Sequence, residues 1–195
     1  MSFNIEGFKA NGLPEGGSRP SLFEVIIPGW PGSDVQAEQE FRFKCRAANI
    51  PPSQIGAVDV PYFGRRIKLA GDRVYADWSI TLNHDEDQNT REALERWHEG
   101  INAHIENVMT GGVSPQPNSY KRDAIVNHYS KSGALIKSYT FKGIFPITIT
   151  QMGLDWDAIN QYMTFDIDFS IDYWLPNLDT GNATTSTVDL RQLGA

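Results

Sequence analysis

The sequence predicts a mainly β fold of α+β type: a two-sheet β-sandwich or open barrel with one α-helix packed on its flank. The first observation behind this is an unbroken alternation. Met163, Phe165, Ile167, Phe169, Ile171 and Tyr173 point one way and Thr164, Asp166, Asp168, Ser170 and Asp172 the other. Side chains in a strand switch faces at each residue, so residues 163–173 read as one long strand, about 36 Å at ~3.3 Å per residue, with an apolar face and an acidic face. The second is a series of further strand-length segments punctuated by Gly and Pro. The third is that helical periodicity is convincing only once. About eight strands and one helix follow for residues 20–174.

In chain order, residues 1–19 hold four Gly, one Pro and two isolated Phe, Phe3 and Phe8, and read as an N-terminal arm unable to form a core alone. A strand is expected at 21–27, followed by a turn-rich insertion with Trp30 exposed. Phe41, Phe43 and Cys45 alternate with Arg42, Lys44 and Arg46, which predicts a half-buried second strand. Residues 50–72, with Pro51, Pro52, Pro61, Gly56, Gly64 and Gly71, read as a long loop, and loops of that length commonly carry function. Residues 73–83 return to strand, with Trp78, Ile80 and Leu82 on one face. The helix is expected over 89–108, because Leu94, Trp97, Ile101, Ile105 and Val108 share a stripe. Asn89 with Glu92 has the form of a capped start, and Gly111-Gly112 marks the stop. Strands follow at 124–130, 135–142 and 146–151, a turn at 155–160, then the long alternating strand. Residues 175–195 are polar and read as a C-terminal tail.

Twenty-four acidic against seventeen basic side chains give a formal charge of −7. A negative overall field argues against a surface that grips nucleic acid, since phosphate affinity comes mainly from Lys and Arg. The lone cysteine, Cys45, excludes a disulfide-framed module. No signal-peptide pattern and no apolar run of 18 residues is present, so synthesis in the cytoplasm without membrane insertion is expected.

Signals for chemistry are weak. Asp85-Glu86-Asp87 superficially opens a calcium loop, but Thr90 and Arg96 stand where the EF-hand needs Gly and Glu, and acids here suit a helix N-terminus. His98 and His104 are six apart, which is not one helical face. Cys45 among aromatic neighbours has the setting of an inert thiol. Asp155 and Asp157, or Asp166 and Asp168, could be spaced as a glycosidase pair, yet acidic outer faces are ordinary in β proteins. No catalytic, cofactor or metal site is expected.

Nine short blocks carry a resemblance. They are Arg19-Pro20-x-Leu22-Phe23-x-Val25, Phe43-x-Cys45-x-Ala47, Ala70-Gly71-Asp72-Arg73, Asp77-Trp78-Ser79-Ile80-Thr81, Gly111-Gly112, Ala124-Ile125-Val126 with Tyr129, Gly143-x-Phe145-Pro146, Leu154-Asp155-Trp156-Asp157 and Asp172-Tyr173-Trp174. In this order the chain resembles the tail tube proteins of T-even-type contractile-tailed bacteriophages. That resemblance implies two β-sheets with a flanking helix. Six copies would join edge to edge into a ring with a continuous inner β-barrel, and the rings would stack into the tube through which DNA leaves the virion. Ring closure also removes exposed strand edges.

The resemblance further implies that the long loop reaches the neighbouring ring, which makes Pro61, Tyr62, Phe63, Arg65 and Arg66 candidates for ring stacking. The other reading is a loop folded back on its own subunit. Tail sheath, baseplate and terminator proteins would be partners, with genomic DNA passing through unbound and the protein residing in the virion tail. A Lys- or Arg-lined bore would hold DNA fast, so Asp166, Asp168 and Asp172 are candidates for the lumen; an outward or inter-subunit face is the alternative. Two other functions stay open. One is the tube of a phage-derived injection machine or type VI secretion system, and the other is a carbohydrate-binding module suggested by five Trp and the acidic character.

Overall fold

The structure, a computed structural model, describes residues 5–11, 17–31 and 35–177. Its elements in chain order are α1 (Ile5–Asn11), β1 (Phe23–Ile26), α2 (Val35–Lys44), β2 (Cys45–Ala48), β3 (Ser53–Tyr62), β4 (Arg65–Tyr75), β5 (Trp78–Asn83), α3 (Asn89–Ile101), α4 (Pro117–Tyr120), β6 (Arg122–Tyr129), β7 (Leu135–Ile149), β8 (Thr164–Ser170) and β9 (Tyr173–Asn177). The main sheet runs β1-β6-β7-β8-β5-β2, with β9 also on β7, and β3 and β4 form a separate antiparallel hairpin. The mainly β architecture with a flanking helix is therefore as expected.

The fifteen-residue β7 joins the two layers. Its first part pairs with β6 and β9, and its last part with β8. Two predicted strands, 135–142 and 146–151, are thus one strand with an irregularity at Gly143, whose φ is +67°. A local extra residue of this kind bends a strand and re-aims its continuation. The layers then face each other through Trp78 of β5 stacked on Phe141 of β7, ring centroids 4.2 Å apart and planes within 7°. Ile80 and Leu82, with Phe165, Ile167 and Phe169, complete the buried face, and the alternation in β5 and β8 is why these five point inward together.

Helix α3 covers one side of this core with Leu94 and Trp97 buried. It is shorter than the sequence predicts. The chain leaves the helix after Ile101, and Ile105 and Val108 are exposed. No side-chain cap forms at its start, where Gln88 adopts a left-handed φ of 53°. The expected capping by Asn89 and Glu92 is therefore corrected.

Four other expectations change. Residues 35–44 are helix rather than the start of a strand. Ala37 and Phe41, four apart, are both buried while Phe43 is 82% exposed. The period-2 pattern of Phe41, Phe43 and Cys45 misled because the surrounding Gln, Glu, Arg and Lys are good helix formers and the operative pair is i, i+4. Trp30 is buried, edge-on to Phe41 at 5.3 Å and to Trp97 at 5.9 Å, so the insertion around it plugs the core. Residues 50–72 are not a loop but most of a hairpin. The run 163–173 is two strands, because the chain turns at Ile171 and Asp172 from one layer into the other. Part of the arm is α1; residues 1–4, 12–16 and 178–195, with most of the predicted tail, lie outside the described residues.

Candidate assembly surfaces

Strands β2, β5, β8 and the end of β7 present a polar face opposite the core. On β8, Asp166 and Asp168 alternate with buried Phe165, Ile167 and Phe169. The register places Ser79 beside Asp168 and Thr81 beside Asp166, with Thr148 on the other flank of Asp168. Ser79 Oγ donates to Asp168 Oδ1 at 2.5 Å, and Thr81 Oγ1 donates to Asp166 Oδ1 at 2.6 Å. The backbone is tied at the same place, since the Asp166 amide donates to Thr150 Oγ1 at 2.8 Å and the Thr150 amide to the Asp166 carbonyl at 2.9 Å. Ordered carboxylates flanked by hydroxyls result. Arg46 on β2 is the one basic residue in these four strand segments.

Asp172 does not belong to that row. It sits at the corner between β8 and β9, where Lys121 Nζ bonds Asp172 Oδ1 at 2.6 Å and the Asp172 amide donates to the Lys142 carbonyl at 3.0 Å. The strand break separates it from Asp166 and Asp168, which the structure does keep together. The sequence reading missed Ser79, Thr81 and Thr148 as companions of the carboxylates, because cross-strand neighbours are set by register and not by sequence spacing.

The hairpin of β3 and β4 stands away from this sheet. All of β3 after Ser53 is exposed. Val58 pairs with Leu69 and Val60 with Ile67, and Tyr62 follows on the same face, so one side of the ribbon is apolar. Asp59 pairs with Lys68 and Pro61 with Arg66 on the other side, where Arg66 and Asp59 form an ion pair at 3.7 Å. Phe63 and Gly64 make the turn with φ of 39° and 79°. Two consecutive positive φ values are the signature of a type I′ hairpin turn, which suits the right-handed twist of the strands it joins. Phe63 at the tip is 93% exposed. Pro61, Tyr62, Phe63, Arg65 and Arg66 are thus brought together at the far end of the ribbon, and the alternation that makes its apolar face was present in the sequence beneath the Pro and Gly signals.

Two edges of the polar-faced sheet are open among the described residues: the outer side of β2 and the outer side of β7 over 145–149. Unpaired edges template further pairing unless they are covered. Near the first of them, Arg42 on α2 bonds Glu24 on β1, and the Tyr129 hydroxyl donates to Glu24 Oε2 at 2.8 Å. The hydrogen bond from Arg42 is the main reason the Glu24 carboxyl is held below its usual range. Burial pushes the Cys45 thiol up to about 12, so it is neutral and unreactive.

Among the described residues no group of three His, Cys, Asp or Glu side chains is placed to hold a metal. No helix among them is long and apolar enough to cross a membrane.

Comparison with known proteins matches this arrangement. Residues 18–177 fit the family described as phage tail tube protein. The chain is 34% identical over 158 residues to tail tube protein gp19 of Enterobacteria phage T4, covering 80% of this chain and 90% of that one. It is 33% identical, with the same coverage, to tail tube protein gp19 of Enterobacteria phage T6. The fold is shared with a chain of the sheath-tube complex of PVC, an extracellular contractile injection system, in its extended state. That match has a TM-score of 0.60 at 13% identity and covers 90% of this chain and 99% of that chain. With the family's pattern spanning the core, the polar-faced sheet and the hairpin, the chain belongs to the phage tail tube protein family.

Proposed function

We propose that this chain builds the inner tube of a contractile phage tail as stacked hexameric rings, and that the tube conducts DNA out of the virion. The observation that carries the reading is the four-stranded sheet with two open edges and a carboxylate-and-hydroxyl face. Repeated edge to edge around a ring, such a sheet closes on itself and leaves no edge. Asp166 and Asp168 with Ser79 and Thr81 then line the bore. Six copies at −7 each carry −42 per ring, and a lining with few cations gives phosphates little to release counterions against, so DNA slides. Asp172, paired with Lys121, contributes at the corner between sheets and not in that row.

The hairpin supplies the stacking contact through Tyr62, Phe63, Arg65 and Arg66, with Pro61 stiffening the strand before the turn. Its stand-off from the body favours this over a loop folded back on its own subunit. The part is structural, without catalysis. Sheath, baseplate and terminator proteins are the partners, in keeping with the assemblies in which chains of this fold occur. DNA passes without specific binding, and the protein resides in the virion tail after assembly in the host cytoplasm.

Negative-stain electron microscopy of the purified chain over a concentration series tests the reading. Rings or hollow rods of uniform width are expected. A chain that sediments only as monomer at high concentration overturns it. The shared fold with an injection-system tube favours one second reading, the tube of a phage-derived injection machine; neighbouring genes for a large terminase and a capsid protein decide for the phage.

A further inference from the structure

The hairpin leaves one end of the polar-faced sheet, and a second exposed apolar surface lies at the opposite end of the same sheet. At the first end, β2 finishes at Ala48 and β5 starts at Trp78, and the Ala76 amide bonds the Pro52 carbonyl to close the hairpin's base. At the other end, Asn83 of β5 pairs with Thr164 of β8, and the His84 amide donates to the Met163 carbonyl. The connection from β7 to β8, residues 150–163, emerges there. It exposes Leu154 at 80%, Ile159 at 76% and Tyr162 at 66%, and Trp156 is fully exposed. Met152, Leu154 and Met163 also line a hollow of about 300 Å³ beside Asp85 and Glu86.

The two surfaces are opposite in charge. Residues 53–75 contain Arg65, Arg66, Lys68 and Arg73 against Asp59 and Asp72. Residues 84–90 and 150–163 together contain Asp85, Glu86, Asp87, Asp155 and Asp157 with no Lys or Arg. Lys44 meets Asp85 at 3.4 Å and offsets one of these five. The hairpin spans roughly 33 Å at about 3.3 Å per residue, ample to cross from one copy onto another.

We infer that the hairpin of one copy docks head-to-tail on the acidic, apolar rim of a second copy, formed by residues 152–162 with Asp85, Glu86 and Asp87. This rests on the tube reading above and adds the surface that receives the hairpin. Apolar residues on both sides (Val60, Tyr62 and Ile67 against Leu154, Trp156 and Ile159) supply the contact. Arg65, which shares the ribbon's apolar face with Tyr62, and Arg66 on the opposite face beside Asp59 make the tip of the ribbon basic, and the attraction of that tip for Asp155 and Asp157 sets the direction of the contact. Because donor and receiver are different surfaces at opposite ends, the interface is heterologous and repeats without closing, which gives a tube with two unlike ends.

The test is a charge reversal with rescue, read by sedimentation velocity and electron microscopy over a concentration series in low salt. A hairpin variant carries Arg65→Glu and Arg66→Glu, a rim variant carries Asp155→Arg and Asp157→Arg, and a third chain carries all four. Each reversal alone is expected to raise the concentration needed for rods by about tenfold or more while rings persist, and the combined chain to recover most of the loss. A rim variant that forms rods like the parent, or a combined chain no better than either single variant, overturns the docking and leaves the tube reading standing.

A second measurement reads the contact where rods are short-lived. On a Cys45→Ser background, Phe63→Cys and Leu154→Cys chains are mixed and mildly oxidised. The mixed disulfide is expected to exceed both homodimers by about tenfold, the rotational and translational freedom of the two thiols being already restricted; equal yields overturn the docking. A parent chain that is only monomeric, with no mixed disulfide, removes the tube reading and the docking with it.

Discussion

A β-carbon placed on Gly143 would lie 2.0 Å from Oδ2 of Asp172. The glycine is therefore required twice, by its φ of +67° and by the carboxylate packed on it. This pair sits where β7 passes between layers and where β8 gives way to β9, and the Asp172 amide bonds the adjacent Lys142 carbonyl. The two corners of the sandwich are thus fastened to each other. Gly143→Ala is expected to destabilise the chain by ~2–4 kcal/mol, and adding Asp172→Ala should return the steric part of that loss. Urea unfolding of the single and double variants measures both; a Gly143→Ala chain as stable as the parent would contradict the coupling.

The stack of Trp78 on Phe141 joins the layers at their centre, and both side chains are fully buried. Trp78→Ala or Phe141→Ala is expected to cost about 3–5 kcal/mol through lost burial and the cavity left behind. Phe141→Leu should cost markedly less. Denaturant midpoints with unchanged slopes would support a stability effect alone.

Glu24 links acid sensitivity to one place. Its carboxyl is held below the usual 4.5, chiefly by the hydrogen bond from Arg42, with the Tyr129 hydroxyl also contributing. A group with a depressed folded pKa stabilises the fold above its unfolded value and loses that contribution as pH falls through the folded one. Stability should therefore drop below about pH 4.5, and Glu24→Gln should flatten part of that drop. Tyr129 has the opposite sense: the Glu24 hydrogen bond raises its pKa from 10.0, so its contribution is present below pH 10 and fades above it. Unfolding curves from pH 3 to 11 for parent and Glu24→Gln check both signs.

Removing the hairpin separates folding from assembly. Excision of residues 54–74 with a short Gly-Ser bridge is expected to change the stability of the body by less than about 1 kcal/mol, because the ribbon's residues are nearly all exposed. Rods should nevertheless be lost. Calorimetry and electron microscopy of the same sample give the two answers, and persistence of rods would remove the stacking role.

Asp166→Lys with Asp168→Lys reverses the charge of the sheet's polar face while leaving the buried partners on β8 untouched. Tubes are expected to assemble still, and DNA delivery to slow or stall in phage carrying the double variant, with DNA newly retained by isolated tubes at low salt. Unchanged infectivity would place these carboxylates outside the bore.

Strand character around Trp78, Ile80 and Leu82, the buried face of Phe165, Ile167 and Phe169, and the helix through Leu94 and Trp97 were legible in the sequence, because each follows from a local period of two or 3.6 residues. The same local rule failed at Phe41 and Phe43, where two periods compete within a few residues and burial of Phe41 against Trp30 decides between them. It failed again at Ile171 and Asp172, where a faultless alternation continues across a corner. Bends of that kind are imposed by the partner strand, here at Gly143, and leave no mark in the alternation itself. Which hydroxyls flank Asp166 and Asp168, and that the hairpin and the Trp156 connection stand at opposite ends of one sheet, were decided by strand register and order. These relate residues far apart in the chain, and only the folded packing of the layers brings them into one frame.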